Sequence, residues 1–418
     1  MGLFTKHKWT TPFFFSKKSY FKKKYVFVRP ERYGILRDMD QPIAWNKNRE
    51  SFDDFKARFP AAHVVDYYGD MLEELFCIQN PQYRFEKSGY EAARKRFSDE
   101  HLRGEAMERA GKWFYFPWSA LLIHYLDDEP HQELRTARNR NLITKEEQQK
   151  FYDFKIGIAG LSVGSHAALT LAMMGAGRVM KLSDRDTVSL SNLNRLRYDA
   201  SALGRNKCDL VAEQIWQMNP YAEVFVYNAG ISEENLHEFL AGPPKLDLLV
   251  EEMDNLEMKI RLRLEAKKIG IPVVMATDNG DNIIVDIERF DLDPNLRIFN
   301  GALGDNPLEE FSKMTPLDLV RLSTKIAGPE LVATKMHRSL LEVGKTLYSW
   351  PQLGDAATLS GVAAAYAARR IALGEPLKTG KIEINLDAIF DPNYYDPRNA
   401  AARDEERRAF LKTIGLET

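Results

Sequence analysis

The stretch Ile156-Gly-Ile-Ala-Gly160-Leu-Ser-Val-Gly164-Ser165 begins as a short apolar run and continues through a glycine-containing turn into small and apolar residues. This pattern predicts a buried strand, a tight turn and a helix. Such a turn points backbone N–H groups and the positive end of the helix dipole at a bound anion. The usual dinucleotide pattern is G-x-G-x-x-G, and alignment on Gly164 leaves Ala159 and Leu161 at the other two positions. The turn alone is therefore weak evidence for a nucleotide, because a glycine needed only for packing would look the same.

Strands and helices alternate after this turn. We expect strands at 154–159, 178–183, 223–227, 246–251, 271–276 and 283–289, and helices at 165–174, 207–218 and 256–268. Alternation of this kind predicts an α/β fold, a Rossmann-like and mostly parallel sheet with flanking helices. Ligands of such sheets bind beyond the carboxyl ends of the strands, where Gly160, Asp186 and Asp254 are expected to meet.

Length and composition limit the class of protein. The chain has 418 residues, of which 44% are hydrophobic and 28% charged, as in a globular protein of roughly two or three domains. The net charge of -2 gives no global field that favours nucleic acid. No apolar run approaches the ~20 residues that span a bilayer, so we expect no membrane span. Two cysteines, Cys77 and Cys208, exclude a disulfide framework and a four-cysteine zinc site within one chain. So few cysteines fit a reducing compartment, and we expect a cytoplasmic location.

Composition and residue pattern divide the chain into three predicted regions. Residues 1–130 form an N-terminal α+β region of unknown role, basic and aromatic at its start, where a packed arm is favoured over a membrane or nucleic-acid contact. Residues 64–125 look mainly helical, and the aromatic patch from Trp113 to Trp118 is expected in a core or domain interface. Residues 131–380 hold the glycine turn, with 307–346 as a possible helical insertion and an alanine-rich buried helix at 359–373. Residues 381–418 form a C-terminal strand and a charged tail.

Residues after the second strand of the alternating part indicate which nucleotide binds. Asp184 and Asp186 lie about 20 residues beyond the turn, where a carboxylate typically binds the ribose hydroxyls of NAD or ATP. In the segment Ser191-Asn-Leu-Asn-Arg195 that follows, Arg195 offers planar, multidentate donors to phosphate and Asn192 offers neutral hydrogen bonds. This order of residues favours a triphosphate over a nicotinamide dinucleotide.

Two later positions extend the same argument. Lys207 opens the next predicted helix and can place a point charge near the α phosphate. Asp254 and Asn255 follow the fourth strand, where the carboxylate of Asp254 can hold Mg²⁺ against the phosphates. Each of these residues alone would more often be structural, but the ordered set predicts binding of ATP and Mg²⁺.

The stretch from Asp184 to Arg195 resembles the D-x-D-x-V-x-x-S-N-L-x-R sequence of the ThiF/MoeB/E1 superfamily, the adenylating domains of enzymes that activate ubiquitin-like proteins. The resemblance covers about residues 135–300 and can be extended to 375. The layout is similar to a bacterial subgroup with an extra N-terminal region, on the basis of the 113–124 patch, Arg138-Asn-Arg140, the glycine turn and Trp350-Pro-Gln-Leu-Gly354.

The resemblance implies a role for each candidate residue within an ATP-binding adenylation domain at 131–380. Asp186 would bind the ribose, Asn192 and Arg195 the β and γ phosphates, Lys207 the region of the α phosphate, and Asp254 the Mg²⁺ ion. It also implies a homodimer in which Arg138 or Arg140 reaches the ATP of the partner subunit. The sequence does not distinguish between these two arginines.

The activity implied by the resemblance is ATP-dependent adenylation of a carboxylate, with release of pyrophosphate. The carboxylate would be the C-terminus of a small ubiquitin-like or sulfur-carrier protein, or of a peptide. The chain departs from the family in its depleted glycine motif, in Leu196 where the family has glutamine, and in lacking CxxC pairs and any cysteine within 279–350. We therefore expect no thioester step. An NAD- or FAD-binding oxidoreductase-type protein and a non-catalytic ATP-binding module remain as alternatives.

Overall fold

The computed structural model describes residues 41–304, 307–308, 311 and 314–416. Residues 1–40, the basic and aromatic start of the chain, lie outside the described residues. The packing of this segment as an arm therefore stays a prediction. The division of the chain into the ranges 1–130, 131–380 and 381–418 also stays a prediction.

The first described residues build a small sheet with its own helices. Its strands are β1 (Ile43–Ala44), β2 (His63–Asp66), β3 (Lys112–Phe116) and β4 (Leu121–Tyr125), in the order β1-β3-β4-β2. Helices α1 (Phe52–Ala57), α2 (Tyr68–Gln79), α3 (Tyr90–Leu102) and α4 (Asp128–Arg135) accompany it. The helical reading of 64–125 was therefore wrong for the β3–β4 hairpin. Strand β3 is buried at three of five positions without a clean alternation, so it gave no strand period.

The aromatic patch joins this small sheet to the rest of the chain. Trp113 is buried inside the small sheet's core. Phe114 meets Tyr221 edge to face, with ring centroids 5.3 Å apart, and Trp118 stacks on Trp216 at 5.9 Å. The prediction that this patch forms a core or an interface is confirmed, and it does both.

The larger sheet contains the strands β5 (Ile156–Ala159), β6 (Val179–Ser183), β7 (Glu223–Tyr227), β8 (Leu248–Glu251), β9 (Val273–Asn279), β10 (Asn282–Glu288) and β11 (Gly380–Ile384). Their order is β11-β10-β9-β8-β5-β6-β7, parallel from β7 to β9 and antiparallel at β10 and β11. The predicted Rossmann-like, mostly parallel sheet is confirmed. The strand order reverses at β5, which lies between β6 and β8, so the ligand crevice is expected beyond the carboxyl ends of these strands.

Ten α-helices accompany this sheet in the described part of the chain. They are α5 (Lys145–Asp153), α6 (Val163–Met173), α7 (Lys207–Met218), α8 (Leu236–Ala241), α9 (Leu256–Ile269), α10 (Pro316–Ala327), α11 (Thr334–Glu342), α12 (Gly354–Leu373), α13 (Leu386–Phe390) and α14 (Pro397–Thr413). Helix α5 begins with a capping box between Thr144 and Glu147, as sequence spacing suggests. In the described part of the chain, no helix combines the length and the apolar character needed to cross a membrane.

Helix α12 supports the helix that follows the glycine turn. Its buried face consists largely of alanines, at positions 356, 357, 364, 365, 367 and 368. A Cβ on Gly361 would lie 2.3 Å from the Cβ of His166, so α12 and α6 approach more closely than larger residues would allow. The alanine-rich segment was correctly predicted as a buried helix, and it begins five residues earlier than expected, at Gly354.

A buried ionic network holds α9 against the sheet near the crevice. The guanidinium of Arg263 bonds to Glu251, and its Nε lies 2.6 Å from Oε2 of Glu288. Lys259 Nζ lies 2.7 Å from Oε2 of Glu251. The side chains of Arg263, Glu251 and Glu288 are fully buried, so each charge depends on its partners, and loss of one partner typically costs about 3–5 kcal/mol. The network therefore fixes the end of β8, from which the next site residues extend.

Candidate active site

Gly160 brings the turn after β5 into close contact with the loop after β8. Its φ is +90°, and a Cβ there would lie 2.5 Å from the carbonyl oxygen of Glu252 and 2.8 Å from the N of Met253. Its own N–H donates to the carbonyl oxygen of Ser183 at 2.8 Å. Only glycine fits this position, and its observed role is packing between three strand ends. Gly164 likewise lies close to Ile158, at 3.0 Å from a built Cβ, so nucleotide binding by either glycine stays a prediction.

Asp184 connects the loops of the site. Its Oδ2 accepts from the N–H of Leu161 at 2.7 Å and lies 3.5 Å from Nζ of Lys207, while its Oδ1 accepts from the N–H of Asp186 at 2.8 Å. Its side chain is only 9% exposed. Asp184 therefore positions the site and has little surface left for a ligand.

Asp186 and Lys207 form an ion pair next to Asp184. Lys207 is the first residue of α7, and its Nζ lies 3.2 Å from Oδ2 of Asp186. The side chain of Lys207 is buried, whereas 62% of the Asp186 side chain is exposed. The structure thus brings both predicted residues to one edge of the crevice, with the carboxylate facing outwards.

Arg195 presents a positive charge without a carboxylate partner. Its Nε donates to Oγ of Ser162 at 3.2 Å, and its Nη1 donates to Oδ1 of Asn194 at 2.9 Å and to the carbonyl oxygen of Ser191 at 3.4 Å. Among the described residues, no ion pair to this guanidinium is formed. Burial lowers the pKa of Arg195, and Asp278 and Asp254 oppose that effect, so the group stays charged. An arginine held only by neutral oxygens is suited to binding an anion.

The backbone around Arg195 is fixed from two sides. Asn192 accepts from the N–H of Ser189 through Oδ1 at 3.0 Å, and its carbonyl oxygen accepts from the N–H of Arg195 at 3.1 Å. His166 on α6 lies with Nε2 2.6 Å from the carbonyl oxygen of Arg195. A carbonyl can only accept, so Nε2 carries the proton, and burial lowers the pKa of His166. Sequence reasoning missed His166, because it lies in a run of small apolar residues without a motif.

Asp254 lies within electrostatic range of both Lys207 and Arg195. It makes no hydrogen bond or ion pair within the described part of the chain. Desolvation by the surrounding protein raises the pKa of Asp254, and the charges of Lys259 and Lys207 act in the opposite direction. The negative charge of Asp254 in turn opposes the fall that burial causes in the pKa of Arg195. Asn255 has a different task, because its Oδ1 accepts from the N–H of Met258 at 3.0 Å and caps α9.

The residues present are compatible with Mg²⁺. The described residues contain no group of three or more His, Cys, Asp or Glu side chains that could form a cage around a metal. Mg²⁺ usually needs only one or two protein carboxylates together with substrate phosphates, and the unpartnered carboxylate of Asp254 meets that need. Metal binding at Asp254 stays a prediction.

The two arginines expected to act on a partner subunit lie outside this crevice. Arg140 is held by an ion pair with Glu133 and by the carbonyl oxygen of Ile78 at 3.1 Å. Arg138 is exposed and forms no hydrogen bond or ion pair among the described residues. Neither contacts the other predicted site residues within one chain.

A cavity of about 620 Å³ opens at one side of the site, where Ser162, Arg195, Asp254 and Asp278 line it. Asp278 lies near the end of β9, a strand that extends three residues further than expected. Its Oδ1 accepts from Ser360 at 3.0 Å and its Oδ2 from Gln352 at 3.2 Å, and burial raises its pKa to about 6. The sequence reasoning missed Asp278, although its position at a strand's carboxyl end was a usable signal.

Comparison with known proteins places this site in a family. Residues 136–280 match the ThiF family. The tRNA threonylcarbamoyladenosine dehydratase of Bacillus subtilis (strain 168) is 32% identical over 175 residues, which cover 40% of this chain and 68% of that protein. The chain belongs to the ThiF family. The likeness was therefore correctly recognised from the Asp184–Arg195 stretch.

Other relatives of this ThiF-family chain differ in length and name. An uncharacterized protein of Mycobacterium tuberculosis (strain CDC 1551 / Oshkosh) is 37% identical over 287 residues, which cover 69% of this chain but only 39% of that protein. The molybdopterin-synthase adenylyltransferase of Haemophilus influenzae is 34% identical over 150 residues, covering 34% of this chain and 59% of that protein. The chain thus spans well under two thirds of the length of both proteins.

One solved structure is also similar to this chain. Escherichia coli tRNA N6-threonylcarbamoyladenosine dehydratase, in complex with AMP, is similar with a TM-score of 0.42 and 19% identity, covering 58% of this chain and 95% of that chain.

The first prediction concerns the close contact at Gly160. Gly160→Ala should destabilise the protein by several kcal/mol more than Gly204→Ala, because both have positive φ (+90° and +79°) but only Gly160 has backbone atoms in the path of a Cβ. The control should lose about 1–2 kcal/mol, the cost of left-handed backbone for an L-residue. Urea denaturation of both variants measures the difference, and equal losses would contradict the close approach.

The second prediction concerns the pKa of Asp278. Its folded value of about 6 lies above the ordinary value of ~3.9, so the wild type should lose stability as pH rises from about 4 to above 6. The Asp278→Asn variant has no titrating carboxyl at this position. Its free energy of unfolding relative to that of wild type should therefore rise over the same pH range, by at most ~3 kcal/mol. Thermal unfolding of both proteins at several pH values tests this. A difference that does not change with pH would show that the pKa is not raised.

Proposed function

We propose that this chain is an ATP-dependent adenylyltransferase that joins a carboxylate to AMP and releases pyrophosphate. The observation that carries the proposal is Arg195, whose guanidinium has no carboxylate partner among the described residues and shares a cavity with Asp254. The adenylyltransferase name of the Haemophilus influenzae relative supports this class of reaction. The chain spans only part of that relative, so the activity is inferred for the site and not transferred as a whole.

In this proposal, the nucleotide lies across the carboxyl ends of β5 and β6. The exposed carboxylate of Asp186 binds the ribose hydroxyls, and Lys207 beside it faces the α phosphate. Arg195 and Asn192 bind the β and γ phosphates, beside Ser162 at the N-terminal end of α6. The dipole of α6 adds to the positive potential there. Gly160 permits the tight turn that brings this helix end close to the loop after β8.

Asp254 would hold Mg²⁺ against the phosphates. A bound Mg²⁺ supplies charge neutralisation on the phosphate oxygens. The protein's own contribution is one unpartnered carboxylate, that of Asp254. It is near enough to Lys207 for the lysine to oppose the rise that burial causes in its pKa, and near enough to Arg195 to oppose the fall that burial causes in the pKa of that arginine. Asn255 supports this placement by capping α9 directly behind the aspartate.

The reaction needs positioning and charge stabilisation. A carboxylate oxygen of the substrate forms a bond to the α phosphorus, and the bond from that phosphorus to the α–β bridging oxygen breaks, so the electron pair leaves with pyrophosphate. The attacking carboxylate is already ionised and no proton has to move. Lys207 and Arg195 stabilise the negative charge on the phosphate oxygens, and the fixed loops hold the reactants in line.

A thioester step on this chain has no structural support. Cys208 lies on α7 next to Lys207, but its side chain is fully buried and burial raises the pKa of its thiol. Cys77 is exposed on α2, in the layer of the small sheet. A thiolate is the nucleophilic form of cysteine, so Cys208 is unsuited to the task. The acyl-adenylate would pass directly to an acceptor, whose identity is not proposed.

The proposed partners are a macromolecular substrate and a second copy of the chain. By family resemblance, the carboxylate belongs to the C-terminus of a small ubiquitin-like or sulfur-carrier protein, or of a peptide. The proposed homodimer would let an arginine of one subunit reach the ATP of the other. Arg138 suits this role better than Arg140, because Arg138 is exposed and unpaired among the described residues whereas Arg140 is bound to Glu133.

The third prediction tests the reaction itself. Wild type should catalyse carboxylate-dependent exchange of pyrophosphate into ATP, and Arg195→Ala should lower the rate about 100- to 1000-fold, the usual loss for a key charge-stabilising donor. Arg197→Ala is the matched control, because Arg197 is exposed two residues further along and should have little effect. ATP binding without exchange for any carboxylate would favour the non-catalytic module. Tight NAD or FAD binding that does not depend on Arg195 would favour the dinucleotide alternative.

The fourth prediction tests the subunit contribution of Arg138. Light scattering should show a dimer, and the Arg138→Ala and Arg195→Ala variants should each be nearly inactive. A mixture of the two should recover activity, because mixed dimers contain one site with both arginines intact. Mixing Arg140→Ala with Arg195→Ala serves as the control for Arg140. No recovery with Arg138→Ala, or a monomer in solution, would contradict this arrangement.

A further inference from the structure

The cavity beside Arg195 continues into an apolar chamber beneath α10 and α11. Its total volume is about 620 Å³, within the usual range of ~300–1,000 Å³ for ligand pockets. Helices α10 and α11 and the segment before α12 contribute side chains to its walls. These side chains are Leu319, Ile326 and Ala327 from α10, Met336 and Leu340 from α11, and Trp350.

Several polar side chains in these walls are already bonded within the protein. Ser323 and Thr324 donate their hydroxyls to carbonyl oxygens one turn back on α10, at 2.9 Å and 2.8 Å. Asn279 donates to the carbonyl oxygen of Leu331 and accepts from the N–H of Ala333, both at 2.8 Å. These three groups therefore offer little to a polar ligand, and the side chains of α10 and α11 leave mainly apolar surface facing the chamber.

The chamber is continuous with the proposed reaction centre but separate from the nucleotide side. Arg195 and Asp254 line the cavity, whereas Asp186 and Lys207 do not. The chamber therefore opens beside Arg195 and Asp254, away from Asp186. A substrate whose carboxylate reaches the reaction centre from the chamber would keep its attached group among the apolar side chains of α10 and α11.

We infer that the chamber binds a bulky apolar group next to the carboxylate that becomes adenylated. This inference rests on the proposed function and narrows its substrate class. A substrate that ends in small residues would leave most of the chamber unfilled, whereas a Phe- or Leu-sized side chain would bury its apolar surface there. The same chemistry is present in a peptide with an apolar C-terminal residue and in a free apolar carboxylic acid.

The test compares carboxylates that differ in this group. Pyrophosphate exchange is measured with N-acetyl-L-phenylalanine, N-acetylglycine and the peptides acetyl-Ala-Ala-Phe and acetyl-Ala-Gly-Gly. The Phe-ended compounds should give a kcat/KM at least about 10-fold higher than the Gly-ended compounds, as expected for apolar pockets. Exchange with both Phe-ended compounds indicates that a free acid suffices, and exchange with the peptide alone identifies a peptide end; both support the inference. Equal rates for Phe- and Gly-ended compounds would overturn it.

A filled chamber supplies the matched variant. Ala327→Phe should remove the preference for Phe-ended compounds while ATP binding stays unchanged. Lys325→Phe adds the same side chain at an exposed position of α10 and should keep the preference. Leu340→Trp fills the chamber from α11 and replaces Ala327→Phe if that variant does not fold. A preference that survives in a folded, filled chamber would refute the assignment.

Calorimetry without nucleotide separates this inference from the proposed function. Wild type should bind N-acetyl-L-phenylalanine at least about 10-fold more tightly than N-acetylglycine, and Ala327→Phe should abolish that difference. If exchange fails with every carboxylate while this binding preference is present, the proposed adenylation is wrong and the chamber assignment stands. If the binding preference is absent, the chamber assignment falls whatever the exchange assay shows.

Discussion

The candidate site depends on the carboxylate of Asp184, which binds three segments of the chain at once. It accepts the N–H of Leu161 in the turn after β5 and the N–H of Asp186 in its own loop, and it lies close to Nζ of Lys207 at the start of α7. A nearly buried carboxylate with several donors is held firmly, because charged acceptors form strong hydrogen bonds in a medium of low polarity. Without it, the turn after β5, the loop that contains Asp186 and the side chain of Lys207 would lose the contacts that hold them together.

The rest of the domain holds the elements that meet at this point. Gly160 allows the turn after β5 to contact the loop after β8. The buried ion pairs of Arg263 hold the end of β8 in place through Glu251. Helix α7 begins at Lys207 in the site and ends beneath the small sheet, where Tyr125 and His131 bond to the carbonyl oxygens of Gln217 and Met218. The N-terminal region therefore supports the far end of a helix whose first residue belongs to the candidate site.

Two halves of the crevice have different chemistry. Around Asp186, Lys207 and Arg195 the surface is charged and suited to a polyphosphate, whereas the walls under α10 and α11 are apolar. Asp254 lines the cavity between these two surfaces, and the charges of Lys259 and Lys207 oppose the rise that burial causes in its pKa. In the proposed adenylation, the nucleotide would occupy the charged surface and the acyl substrate the apolar one, so that only the reacting groups would share space.

The sequence by itself determined the alternating strands and helices, the parallel sheet and the family, because these depend on local periodicity and on a contiguous motif from Asp184 to Arg195. Helix α7 was predicted with its observed bounds, 207–218. Only the tertiary structure decided which polar residues support the site and which face a ligand. Asp278 receives its hydrogen bonds from Gln352 and Ser360, and His166 reaches the carbonyl of Arg195, across separations that no local pattern records. The apolar chamber was equally invisible, because its walls come from helices, loops and strands that are distant in the chain and meet only when the domain folds.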